Sequence, residues 1–206
     1  EPDVRVWTMV AEVHSAFFAS IDAIADAKAE ILEGATAGSL VVANAADPRV
    51  MARVAASPAR VRTFGIGVPA DVRAGSVEDR GLAGTRAAVT TPWGPAVVEL
   101  PLLGLGHLAN ALAAVAIAGE YGVPLATMIE RLAAAAPAAR RGEVWRLPSG
   151  VTLVDDSYNS NPRALQRTLE TLAAERGCAR RVAVLGEMLE LGEQAVPLHE
   201  ACGRAA

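Results

Sequence analysis

Apolar positions recur along this chain with two different periods, and the switches between them mark its elements. Residues 3–10, DVRVWTMV, read as a short strand. From about Ile21 to Leu32, the apolar positions Ile21, Ile24, Ala25, Ile31 and Leu32 share one face, which predicts an amphipathic helix stopping near Gly34. Residues 39–44, SLVVAN, read as a buried strand. Asp47 and Pro48 open a short helix through about Ala55, and residues 60–66 form another strand running into Gly65-Ile66-Gly67. This strand–helix alternation predicts a mostly parallel sheet with helical crossovers.

Residues 71–100 change character. RAAVTTPWGPAVVEL alternates like a hairpin turning at Pro92-Trp93-Gly94-Pro95, and predicts a small antiparallel segment at the sheet edge. Gly104-Leu105-Gly106 precedes a helix from about Leu108 to Ala118, and Pro124 introduces a second from Leu125 to about Ala135. The alanine- and proline-rich stretch 135–140 reads as a boundary between residues 1–138 and 139–206. Beyond it, EVWRLP and VTLVDD are expected strands joined at Ser149-Gly150. A helix follows from Pro162 with Asn161 as its cap, RRVAVLG is expected as another strand, and a last helix begins near Gln194. The expected fold class is α/β: an incomplete, mostly parallel sheet domain followed by an incomplete second α/β domain. Both ends read as truncated.

Composition narrows the function classes. With 52% hydrophobic and 20% charged residues, the 206-residue chain has a folding composition. Every long apolar stretch is alanine-rich and interrupted by Gly, Pro or charge, so no integral membrane contact is expected, and no signal peptide is read at the start. A net charge of −4 gives no nucleic-acid footprint. Cys178 and Cys202 are expected as lone thiols in a reducing compartment. Of the 19 basic residues, Lys28 is the only lysine. A primary amine can form a carbamate or a Schiff base, whereas a guanidinium cannot.

Position sharpens the candidates. Lys28 is expected on the apolar stripe of its helix, with Ile24, Ala25, Ile31 and Leu32 three and four residues away and no acidic helix partner. A charged amine there is costly unless paired or modified, and the alternative is a stem snorkelling to solvent. His14 follows the first strand, where parallel sheets place their sites, and is open to a metal, phosphate or capping role. Asp155-Asp156-Ser157-Tyr158-Asn159-Ser160-Asn161-Pro162 puts a dense set of donors and acceptors between a strand and a helix. Asp156 stands at the strand exit, suited to a ribose or a cation, and Asn161 chiefly caps the helix. Gly186-Glu187-Met188-Leu189-Glu190-Leu191-Gly192 sets two carboxylates beyond the next expected strand. Gly104-Leu105-Gly106-His107 before a helix is a possible phosphate turn but not a Walker motif, since no GKT or GKS occurs.

Taken together, these segments resemble the ATP-dependent Mur ligase family. DDSYNSNP at 155–162 is similar to the family's DDSYNANP, VLGEMLELG at 184–192 to VLGDMxELG, NALAA at 110–114 to its central-domain helix start, and AIADAKAEI at 23–31 to its carbamylated-lysine segment. The first two motifs point to the branch that joins D-Ala-D-Ala to UDP-N-acetylmuramoyl-tripeptide. The resemblance implies part of a central ATPase domain over 1–138 and the first part of a Rossmann-like domain over 139–206. It implies ATP and Mg2+ as cofactors, an acyl-phosphate route, cytoplasmic peptidoglycan precursor synthesis, and a monomer. By the same resemblance, Lys28 as a carbamate and His14 bind magnesium and serve catalysis. Asn110 lies beside the adenine, Arg141 reaches ATP, Asp156 stands near ribose and phosphates, and Tyr158, Asn159 and Asn161 belong to the nucleotide loop.

The sequence also departs from the family. Where GxHNxxN is usual, this chain has Gly104-Leu105-Gly106-His107-Leu108-Ala109-Asn110, and EVHSAFF surrounds His14 where the family tends to read AHLExF. With no phosphate loop among its 206 residues, the piece is expected to be inactive by itself. The rivals are another amide ligase of the superfamily, such as a folate-polyglutamate type, and a noncatalytic interaction fragment.

Overall fold

The computed structural model describes residues 2–11, 18–175 and 178–206. Six strands, β1 (Val4–Trp7), β2 (Leu40–Asn44), β3 (Arg60–Ile66), β4 (Val72–Asp79), β5 (Thr85–Thr91) and β6 (Gly94–Leu100), form one sheet in chain order. The pairs β1–β2, β2–β3 and β3–β4 are parallel, and β4–β5 and β5–β6 antiparallel, so the sheet is mixed. Helices α1 (Ile21–Lys28) and α2 (Pro48–Val54) cover one face, and α3 (Leu105–Glu120) and α4 (Leu125–Ala133) the other. Alternation along β2 makes this possible: Val41 and Ala43 pack with α1 and α2, while Leu40 and Val42 pack with α3. Ser20 and Asp47 cap α1 and α2 through their side-chain oxygens.

The edge hairpin expected from RAAVTTPWGPAVVEL is β5–β6, with only Pro92 and Trp93 between its strands. β4 lacks a counterpart in the sequence reading. It follows β3 through residues 67–71 alone, far shorter than the usual parallel crossover. Asp71 makes this possible: its carboxylate accepts from the Thr63 backbone N–H and hydroxyl at 2.8 Å each, and its own N–H donates to Thr63 Oγ1 at 2.9 Å. Gly65 gives the returning loop room, since a Cβ there would stand 2.6 Å from Val68 Cγ2.

The second region contains the antiparallel pair β7 (Glu143–Arg146) and β8 (Thr152–Asp155) and helices α5 (Pro162–Ala174) and α6 (Ala195–Ala205). Met188, Leu191 and Cys202 form a small buried cluster with Leu165 and Leu198. RRVAVLG at 180–186 is not a strand, contrary to the sequence expectation. Val184 is 92% exposed. Arg181 instead turns back to donate to the carbonyls of Leu172 and Glu175 at the end of α5. Strand propensity without a partner strand does not hold a segment extended. Cys178 and Cys202 are free thiols, and no helix among the described residues is long and apolar enough to cross a membrane.

Candidate functional site

The joint between the two regions gathers most of the polar residues singled out from the sequence. The chain leaves α4, passes Arg140 in a left-handed conformation (φ 61°) and enters β7 through Gly142, which packs beside Leu103 just ahead of α3. The Arg140 carbonyl accepts from the Tyr158 N–H at 3.0 Å and the Asp155 carbonyl from Gly142 at 3.0 Å, so the 155–158 turn is tied to the linker. Its side chains then meet across the joint. The Arg141 guanidinium lies 4.0 Å from the centre of the Tyr158 ring. The Asp156 carboxylate accepts from Thr168 Oγ1 at 3.0 Å. Asp155 binds the Ser157 hydroxyl and N–H, which hold its carboxyl below the usual carboxylate range.

His107 faces this group from the first turn of α3. Burial pushes its imidazole below the ordinary histidine value. The Asp156 carboxylate opposes that shift and the Arg141 cation adds to it. Asn110 follows one turn later and is exposed. α3 starts at Leu105, earlier than the periodicity placed it. Gly104 at its cap has φ 82° and offers no side chain to the first amides; the His107 N–H is taken by the Gly104 carbonyl at 3.2 Å, which leaves those of Leu105 and Gly106 for a ligand. His107 had no role assigned from sequence; its signal was its place behind the Gly-rich turn.

Asn161 does what its position suggested, accepting from the Ala164 N–H at 2.9 Å to cap α5. Asn159 accepts from the Ser160 N–H through its own side chain.

Lys28 differs from expectation. It is the last residue of α1 and is exposed, not inward. Regular α-helical bonding ends there and the chain tightens into a 3-10 turn over Ala29–Leu32, so the apolar stripe does not continue. Only Ile24 and Ala25 are buried, and Ile31 is 37% exposed. Lys28 also stands about 10 Å along the helix from Ile21, the end of α1 that faces the second region. His14 lies outside the described residues. Among the described residues no group of three or more His, Cys, Asp or Glu is placed to hold a metal ion.

Two clefts flank the joint. One, of ≈ 650 Å³, is bordered by Arg80, Gly104, Leu105, Arg167 and Glu175. The larger, of ≈ 1150 Å³, lies between residues 9–11 and 18–21 with Ile24 on one side and the first turns of α5 on the other, with Leu191–Gln194 as its third wall.

Comparison with known proteins settles the kinship. Residues 1–118 match the Mur ligase middle domain, and residues 140–206 the Mur ligase, glutamate ligase domain. The chain belongs to the Mur ligase family. Over its full length it is 37% identical to the UDP-N-acetylmuramoyl-tripeptide–D-alanyl-D-alanine ligase of Mycobacterium tuberculosis, covering 41% of that protein. It is 30% identical to the Escherichia coli enzyme of the same name, covering 45% of it. The chain thus spans less than half the length of these curated relatives. Among solved structures, MurF from Acinetobacter baumannii superposes with a TM-score of 0.87 at 27% identity, over 98% of this chain and 44% of that one. MurF ligase from Thermotoga maritima in complex with ADP gives 0.82 at 28%, over 99% and 46%.

Proposed function

We propose that this chain is part of an ATP-dependent amide ligase that joins D-Ala-D-Ala to UDP-N-acetylmuramoyl-tripeptide, in cytoplasmic synthesis of peptidoglycan precursors. The observation that supports it is the likeness across the entire chain to curated ligases bearing that name, 37% identical in the Mycobacterium tuberculosis case. Residues 1–138 belong to the central ATP-binding domain and residues 139–206 to the Rossmann-like carboxyl-terminal domain. The enzyme acts as a monomer on a carboxylate and an amine, and contacts neither nucleic acid nor the bilayer.

The group at the joint has the chemistry a nucleotide needs. An exposed carboxylate at Asp156 suits ribose hydroxyls, the Arg141 cation and the uncapped amides of α3 suit phosphate, and Tyr158 offers a planar face. In this reading Asn110, on the same face of α3 as His107, contacts the base. Asn159 and Asn161 shape the loop, Asn161 through the α5 cap it already provides. ATP supplies the phosphoryl group that turns the tripeptide carboxylate into an acyl phosphate, which the dipeptide amine then attacks. These residues bind and orient the nucleotide, and the linker lets the carboxyl-terminal region carry its loop to and from α3.

Among the described residues no group of three or more His, Cys, Asp or Glu is placed to hold a metal ion. The roles of Lys28 as a carbamate and of His14 as its neighbour on Mg2+ rest on the family likeness.

The test is an assay of the complete protein with all three substrates. Amide product and phosphate should appear together, and Asp156→Asn should reduce turnover while leaving folding intact. The 206-residue piece, lacking a phosphate loop within its sequence, should release none. Absence of amide product from the complete protein sinks the reading. Phosphate release from the piece that depends on both acceptors sinks the claim about its inactivity.

A further inference from the structure

The larger cleft contains two cations with no work assigned to them. Arg163 and Arg167 stand four residues apart on α5, hence on one face of that helix, and both border the ≈ 1150 Å³ space. Both are exposed, and among the described residues neither side chain makes a hydrogen bond or an ion pair. Arg49, Arg53, Arg60, Arg62, Arg80 and Arg86 each meet a carboxylate; of the arginines without an ion pair among the described residues, Arg163 and Arg167 are the two that border this cleft. Nor does the first turn of α5 carry an acid to offset them. Arg163 stands at the positive end of the helix dipole, which is mildly unfavourable for a cation and would be relieved by a bound anion.

The rest of the cleft narrows the ligand. Among the described residues that line it, Glu193 is the one carboxylate, against the two arginines. The facing wall is apolar, built from Phe18, Ile21 and Ile24, with Leu191 and Leu198 beside it. A small molecule with one anionic end and short aliphatic side chains suits such a space better than a polyphosphate. The nucleotide-type groups, Arg141, Asp156 and Tyr158, are not among the residues lining it.

We propose that Arg163 and Arg167 form a carboxylate clamp that holds the terminal carboxylate of the incoming dipeptide, with its methyl groups toward the apolar wall. This rests on the ligase reading above and adds to it the residues that select an acid over its amide. Arginine suits the task, because its planar fork meets a carboxylate through two hydrogen bonds. The clamp determines specificity and orientation and takes no part in proton transfer. A phosphate of the nucleotide is the other source of the same chemistry, reachable from Arg167, which also borders the smaller cleft.

The test uses the complete protein and two probes, D-Ala-D-Ala and its carboxamide. Calorimetric binding without ATP should favour the acid over the amide by about tenfold or more. R163Q/R167Q should erase that preference, and R163K/R167K should retain part of it. In turnover, the KM for the dipeptide should rise about tenfold in the double Gln variant, while the KM values for ATP and the UDP-linked tripeptide stay within about twofold. Equal binding of acid and amide by the unmodified protein overturns the clamp, as does a double variant whose preference is intact. A rise confined to the KM for ATP overturns it in favour of phosphate. Acid-selective binding that needs both arginines, in a protein that makes no amide product, upholds the clamp and sinks the ligase reading. Ligation of acid and amide alike upholds the ligase and sinks the clamp.

Discussion

At the residue level, exposure decides what a side chain can be asked to do, and Lys28 and His107 illustrate it from opposite directions. Lys28 sits at the end of α1 with its amine open to solvent. A surface lysine tolerates arginine, because charge and stem are both kept. A carbamate does not, because a guanidinium cannot take up CO₂. On the proposed role, Lys28→Arg and Lys28→Ala in the complete enzyme both lose most turnover at unchanged melting temperature, and short carboxylic acids restore part of the activity of the Ala variant only. Full activity in Lys28→Arg would return this residue to the surface. His107 is half-buried and its folded-state pKa is lowered, chiefly by burial. The sign follows directly: below the ordinary imidazole value the unfolded chain takes up a proton that the folded chain resists, so stability falls as pH drops through that value toward the lowered one. His107→Gln should flatten this part of the stability–pH curve measured by urea unfolding, and an unchanged slope would show that His107 does not contribute it.

At the level of elements, the periodic segments were readable and the exceptions have local causes. β1, β2, β3, the β5–β6 hairpin and all six helices were legible from period, cap and turn residues, because each contains its own signal. β4 was not, since its connection depends on Asp71 reaching back to Thr63, a tertiary contact that no periodicity encodes. RRVAVLG misled in the opposite sense, because strand propensity says nothing about whether a neighbour is present to pair with it. The joint was half legible. DDSYNSNP marked the loop, but its meeting with His107 depends on how the linker folds. One further contact ties the hairpin to a helix. The Trp93 ring from the β5–β6 turn covers Gly119 of α3, where an added Cβ would come within 2.1 Å of the indole. The ring also lies 5.8 Å from the Arg62 guanidinium, which is bound to Glu120. Gly119→Ala gains helix propensity of up to about 1 kcal/mol but must displace the indole, at a cost of about 1–3 kcal/mol. The net expectation is destabilisation, read as a lower urea midpoint at unchanged m-value. In a Trp93→Ala background the same substitution should be neutral or stabilising, and destabilisation of equal size in both backgrounds would remove Trp93 from the explanation.

At the scale of the whole molecule, the two regions differ in how much core each owns. The six-stranded sheet buries two large clusters, one on each face, whereas among the described residues the second region buries only the small group around Met188, Leu191 and Cys202. Between them, residues 134–142 form no helix or strand, and Arg140 occupies left-handed backbone, a conformation uncommon for a side-chain-bearing residue. Such a joint is held by its partners more than by its own structure: the Tyr158 N–H on the Arg140 carbonyl, the Gly142 N–H on the Asp155 carbonyl, and the stacking of Arg141 on Tyr158. A nucleotide bound by Arg141, Asp156 and the α3 amides would add contacts on both sides of this linker and raise the cost of opening it. Limited proteolysis should therefore cut first within 134–142. Arg140 and Arg141 make trypsin the natural probe, and cleavage in the complete protein should slow as ATP is added. Arg141→Gln should leave a cut after Arg140 available while weakening the protection by nucleotide. Cleavage at an unchanged rate at saturating ATP, or first cuts elsewhere in both states, would show that the linker does not report on nucleotide binding and would detach the joint from the proposed site.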